Sequence, residues 1–292
     1  MDNLAASITK CLAYIMIRAT HHLNLLYRRA AFGLTMRKVA ARDRLPPKRA
    51  GEPLDGYLEE LSRNGIFVLK DFFTAEQLKT LRASVERVAQ QRAQIKRGPF
   101  VRDEPTLRVA EGTLRFWNVD MLSPEVRELF TKNPTFDRLA DAYFNAPARR
   151  QSTIYQETRP SPVARLNLEL GRQGFHFDHY SRTLKIFLYL EDVAHENGPF
   201  TYIKGSAGIE EFGKARKMYN YYLENLGLYS ADSLAAYYTA QEEEAYQLWR
   251  RAEPVTGRAG TLIFAETRGL HVAGEIKSGV RKVLVNSYRA QA

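Results

Sequence analysis

Gly174-Phe175-His176-Phe177-Asp178 decides how the rest of this chain is read. In an extended strand successive side chains point to opposite faces, so His176 and Asp178 point the same way and can reach one metal ion. The pair alone is weak evidence in a chain with six histidines. Its weight comes from residues further along the chain. His271 stands 93 residues beyond Asp178, after a strand-like run, Gly260 to Phe264, and an Arg268-Gly269 turn; ten residues later Arg281 opens another run, Lys282 to Tyr288. Two histidines and one carboxylate on one face of an iron(II) leave its remaining positions open for a cosubstrate and dioxygen. A guanidinium nearby can grip a carboxylate through two parallel hydrogen bonds, more specifically than a lysine can. That grip suits the distal carboxylate of 2-oxoglutarate.

Around these residues the sequence is organised in short alternating segments. Thr153 to Gln156, Arg165 to Leu170, Leu184 to Leu190, Phe200 to Ile203, Thr261 to Ala265 and Lys282 to Tyr288 read as strands, and in one block they predict an antiparallel sandwich or jelly roll. Before them, helical spacing runs over Asp55 to Asn64, and Gly65 turns the chain into a strand, Ile66 to Lys70. Thr74 followed by Glu76 and Gln77 resembles a helix start, continued by Leu78, Leu81, Val85 and Val88. Pro124 to Thr131 and Pro134 to Phe144 add two more helices. Residues 208 to 252, with seven tyrosines, predict a helical insert placed to act as a lid. The expected fold class is α+β, a double-stranded β-helix (jelly roll) core with supporting N-terminal helices.

The net charge of +10 is unevenly placed. Residues 1 to 50 carry ten Lys/Arg against Asp2 and Asp43, whereas residues 51 to 292 carry a balance of only +2. A nucleic-acid partner is therefore not expected of the body, which also lacks an aromatic-basic strand motif. Ile8, Leu12, Ile15, Met16, Ala19, Leu23, Leu26 and Ala30 share one helical face and Lys10, Arg18, His21, Arg28 and Arg29 the opposite one, an amphipathic basic helix over residues 8 to 30. Lys10, Arg18 and Arg28 interrupt any run long enough to span a bilayer. The helix can pack on the body, lie on an anionic membrane or serve as a transit peptide. Arg44 to Pro53 reads as a linker, so the expected organisation is a basic extension over 1–50 and a catalytic domain over 51–292. The single cysteine, Cys11, forms no internal disulfide, which fits a reduced cytoplasmic setting, with the helix offering a peripheral site on a membrane's inner face.

The ordered set His176-x-Asp178, His271 and Arg281 resembles the signature of the iron and 2-oxoglutarate dioxygenases, and specifically their phytanoyl-CoA dioxygenase-like branch. Asn64 to Phe73 is similar to the family's opening strand. Glu191-Asp192-Val193, Asn197-Gly198-Pro199 and Gly205-Ser206 are similar to the segment after the metal pair. The likeness covers residues 55 to 290 in order. It implies His176, Asp178 and His271 as iron ligands, Arg281 on the cosubstrate's distal carboxylate, and Thr201 as a further 2-oxoglutarate contact. Lys204 stands where proline is usual and Ala207 where histidine is usual. In related halogenases a small residue replaces the carboxylate ligand, so Asp178 points away from halogenation.

The implied activity is hydroxylation of an unactivated C–H bond, with iron(II), 2-oxoglutarate and dioxygen as cofactors. The substrate expectation is a small molecule or a lipid-linked one, such as a lipid or lipid-linked glycan at a membrane surface. A non-catalytic membrane-associated binding protein on the same scaffold is the alternative. His179, Arg165, Asn167, Arg115 and Trp117 are candidate substrate contacts, each with an ordinary strand or core role as its alternative.

Overall fold

The computed structural model divides into residues 1–45 and 46–292. It describes residues 46–110, 112–162, 175–178, 181–208, 236–237 and 250–291. The amphipathic segment 8–30, the strand expected over 165–170, His179 and most of the insert lie outside them. Among the described residues no helix is long and apolar enough to cross a membrane.

Helix α1 (Leu54–Asn64) ends at Gly65, whose φ of 77° supplies the left-handed turn a helix stop needs, and the chain enters β1 (Ile66–Leu69). Helix α2 (Ala75–Gln90) begins on a capping box: Thr74 accepts from the Gln77 N–H while the Gln77 side chain accepts from the Thr74 N–H. A hairpin, β2 (Thr106–Ala110) and β3 (Thr113–Trp117), comes next, then a helical stretch over Pro124–Val126 and Arg127–Thr131, and α3 (Pro134–Phe144). The remaining strands are β4 (Ala148–Thr158), β5 (His176–Phe177), β6 (Leu184–Tyr189), β7 (Phe200–Tyr202), β8 (Ala236–Tyr237), β9 (Glu253–Val255), β10 (Leu262–Glu266), β11 (His271–Ala273) and β12 (Arg281–Ala290).

Two antiparallel sheets result, ordered β1-β10-β6-β12-β4-β3-β2 and β8-β5-β11-β7-β9. This is the jelly-roll arrangement the strand pattern predicts. One face of the larger sheet is covered by helices: Leu184, Ile186, Leu188, Phe264 and Leu284 pack with Leu58, Leu81, Val85, Phe136 and Tyr143. Its other face presents Ile154, Tyr189, Ile263, Val283 and Val285, which pack with Phe200 and Tyr202 of the smaller sheet. Central strands buried on both faces read as unbroken apolar runs, as Leu262-Ile263-Phe264-Ala265 does. Phe264 stacks on Phe67 at 4.4 Å between ring centres and meets Phe136 edge-on at 5.7 Å. Such pairs contribute about 0.5–1.5 kcal/mol each beyond burial and tie α3 and β1 to the sheet.

The insert departs from the purely helical reading at one described point. Ala236 and Tyr237 form β8, which pairs with Phe177 and His176. β5 would otherwise expose an edge of unpaired backbone groups beside the candidate ligand His176, and β8 satisfies that edge.

Candidate metal centre

Two neighbouring strands of the smaller sheet, β5 and β11, bring three residues together. His176 in β5 and His271 in β11 are directly opposed partners, so their side chains lie on the same face, with ring centres 4.4 Å apart. Asp178 sits just past the end of β5, where its N–H donates to the Thr267 carbonyl at 2.9 Å. Its Oδ2 lies 3.5 Å from His271 Nε2. One ligand atom from each of the three residues lies within 4.8 Å of those from the other two, close enough to hold one ion.

The turn before β11 sets this geometry. Thr267 and Gly269 supply the two carbonyls that hold the Asp178 backbone and the His271 ring; the second contact is Nδ1 to the Gly269 oxygen at 2.9 Å. A carbonyl only accepts, so Nδ1 carries the proton and Nε2 keeps its lone pair toward Asp178. The Leu270 N–H donates to the buried Ser206 Oγ at 2.7 Å, and Tyr202 Oη donates to the Glu266 carbonyl at 2.9 Å. Gly269 is required where it stands, because a Cβ there would overlap Tyr202 Oη.

Beneath the turn lies a buried ionic cluster. Arg268 Nε is 2.8 Å from Glu266 Oε1, Arg182 Nε is 3.9 Å from Oε2, and Tyr143 Oη donates to Oε2. The Arg182 guanidinium covers the Tyr143 ring at 3.9 Å. Removing one member of a buried ionic set leaves its partners uncompensated. Glu266→Gln is expected to lower stability by about 3 kcal/mol in urea unfolding; a change under about 0.5 kcal/mol, the ordinary surface range, would show the cluster does not brace the turn.

Electrostatics prepare the site for a cation. Burial, with help from His176, pushes His271 down to about 3, so it stays neutral over the physiological range. Asp178 is half-buried, and its partial loss of solvent alone would raise its carboxyl, but Lys185, His271 and His176 overcome that and hold it well below the usual range. Lys185 Nζ is 2.9 Å from Asp178 Oδ2. For stability the signs agree. His271 binds fewer protons folded than unfolded, so its contribution is lost as pH falls from about 6.5 towards 3, and that of Asp178 is lost at lower pH still.

Arg281 is the first residue of β12 and faces inward in phase with Val283 and Val285. It is 5% exposed, its Nη1 finds no hydrogen-bond partner among the described residues, and burial lowers its affinity for the proton. A buried guanidinium with an open donor is costly unless an anion completes it, which fits a carboxylate. Thr201 departs from its expected role. It pairs with Val272, one residue out of phase with His271, so it lies on the opposite face of the smaller sheet, and its hydroxyl donates to the Pro199 carbonyl at 3.2 Å. Phe200 occupies the inward position instead, 5.5 Å from the His271 ring.

Lys185 and Tyr189 escape a motif reading. Both sit on the inward phase of β6, a signal visible only once one face of that strand is known to line the site. Tyr189 Oη donates to the Val255 carbonyl and accepts from the Phe200 N–H. Lys204, one of the unusual residues, pairs with Glu253 at 2.6 Å. Arg115 Nε donates to Gln156 Oε1 and its guanidinium lies 5.6 Å from the Trp117 ring.

The family model described as Phytanoyl-CoA dioxygenase (PhyH) matches residues 61–283, from within α1 into β12. The chain belongs to this family. The phytanoyl-CoA dioxygenase match spans every strand of both sheets up to the first residues of β12, as well as all three converging residues. No curated protein matches by sequence. Among solved structures, the epimerase SnoN, in complex with Fe3+, alpha ketoglutarate and nogalamycin RO, is similar with a TM-score of 0.56 and 17% identity, over 81% of this chain and 83% of that one. SnoK, a non-heme alpha ketoglutarate dependent carbocyclase from nogalamycin biosynthesis, gives 0.54 and 19%, over 84% and 87%. EctD from S. alaskensis with bound Fe gives 0.52 and 17%, over 80% and 75%. At these identities the likeness establishes the fold. Family and donor set together support an iron- and 2-oxoglutarate-dependent enzyme of oxygenase type.

Proposed function

We propose that the protein is an iron(II)- and 2-oxoglutarate-dependent dioxygenase that hydroxylates an unactivated C–H bond, with His176, Asp178 and His271 as metal ligands. The observation that carries this reading is the convergence of those three residues in a fold that also buries an uncompleted cation, Arg281, between the sheets. When bound, iron with 2-oxoglutarate and dioxygen supplies the oxidising chemistry, with succinate and carbon dioxide as coproducts.

The chain's own residues supply position and dryness. His271 presents Nε2 because Nδ1–H is held by Gly269. Asp178 contributes a carboxylate that stays ionised. Arg281 would take the distal carboxylate of 2-oxoglutarate, at a buried position beside Tyr189 and in phase with Val283, where bulk water competes little for the guanidinium. Asp178 fills the position a halide would need, which favours oxygen insertion over halogenation. SnoN and SnoK are an epimerase and a carbocyclase, so the outcome at the substrate carbon is a separate question from cosubstrate use.

For the substrate, the basic amphipathic pattern of the sequence over residues 8–30 supports a lipid or lipid-linked glycan presented at an anionic, inner-face membrane surface. The test is succinate release by the full chain with iron(II) and 2-oxoglutarate. Water-soluble acids and lipid or lipid-linked glycan fractions on phosphatidylglycerol vesicles are compared as stimulants. Stimulation by the vesicle-borne fractions and a product heavier by one oxygen are expected. Stimulation by soluble acids alone would reject the lipid substrate. No succinate under any condition would favour a non-catalytic binding protein.

A further inference from the structure

Lys185 is the second residue of β6, opposed to Ala265 of β10 and Ser287 of β12. It shares the inward phase of Phe187 and Tyr189 and keeps 24% of its side chain exposed. Its ammonium lies 2.9 Å from Asp178 Oδ2, the same oxygen that lies 3.5 Å from His271 Nε2. Arg281 opens β12 opposite Thr158, six residues from Ser287, or roughly 20 Å along an extended strand. The two inward cations are therefore rooted at different levels of the sheet. Arg281 is placed for a cosubstrate, and Lys185 for the metal's own carboxylate.

We propose that Lys185 is a positioning residue that shares Asp178 with the metal ion, holding the carboxylate in a single orientation while lowering the site's affinity for divalent cations. This rests on the assignment of His176, Asp178 and His271 as ligands. An ammonium and a divalent ion drawn to one carboxylate stand only a few ångströms apart, and their repulsion opposes the attraction each has for Asp178. Part exposure of Lys185 screens that repulsion without abolishing it. In return, the ammonium limits how the carboxylate can turn.

Deleting this ion pair is expected to tighten metal binding. Calorimetric titration of the full chain with manganese(II), without 2-oxoglutarate, is compared for the natural protein, Lys185→Met and Lys185→Arg. Lys185→Met is expected to bind at least about tenfold more tightly, and Lys185→Arg within about threefold of the natural chain. Should the methionine variant fail to fold, Lys185→Gln removes the same charge and is expected to tighten binding too. Equal or weaker binding by the uncharged variants would overturn the proposal, as it would mean the ammonium only steadies Asp178. Equal tightening by Lys185→Arg would overturn it as well, because shape rather than charge would then be responsible. Absence of manganese binding by the natural chain would instead reject the ligand assignment.

Discussion

Asp178→Ala is expected to abolish iron-dependent succinate formation and to weaken iron(II) binding by at least about a hundredfold. The size reflects the donor set. An imidazole is a neutral donor, and Asp178 is the anionic member of the three, held ionised although half-buried. Without it two imidazoles face Lys185 and a divalent ion with no local negative charge among them, so the repulsion that Lys185 exerts is no longer offset. Equilibrium dialysis against iron(II) under anaerobic conditions reads the affinity, and coupled succinate detection reads the turnover. A variant that kept both would show that another group supplies the carboxylate.

Arg281→Ala is expected to raise the 2-oxoglutarate concentration needed for half-maximal succinate release by roughly two orders of magnitude, while iron binding stays near the natural value. Charge-assisted hydrogen bonds contribute about 1.5–3 kcal/mol each, and a guanidinium offers two in parallel to one carboxylate. The full sum is not expected, because the alanine variant also relieves a buried, uncompleted cation of its desolvation cost. Lys at this position keeps the charge and loses the fork, so Arg281→Lys should recover part of the loss. Unchanged dependence on 2-oxoglutarate in Arg281→Ala would remove the residue from the cosubstrate site.

The alternating strands from Leu184 onward, the capping box at Thr74 and the turn at Gly65 were legible because each depends on local chemistry: side-chain period, a reciprocal side-chain bond and a left-handed φ. The β2–β3 hairpin was not. Arg108 and Arg115 stand opposite each other in it, and its partly exposed strands lack a continuous apolar stripe; the hairpin is held by the pairing of β3 with β4, a long-range contact. The same distinction runs through the site. His176 and Asp178 announce themselves by spacing, whereas the pairing of His271 with His176 joins residues 95 positions apart through sheet register. Thr201 shows the cost of assigning a role without that register, since a one-residue step along β7 exchanges the metal face for the opposite one. Lys185 and the Glu266 cluster carry no motif at all, because their roles arise from which strand end and which turn they meet.

The most direct test of the metal assignment is to crystallise the full chain with manganese(II) and 2-oxoglutarate and record anomalous scattering. One peak per chain is expected from this assignment, in contact with His176, Asp178 and His271 together, with 2-oxoglutarate extending from it to Arg281. A peak that touches fewer than all three, or a cosubstrate whose distal carboxylate lies away from Arg281, would contradict it.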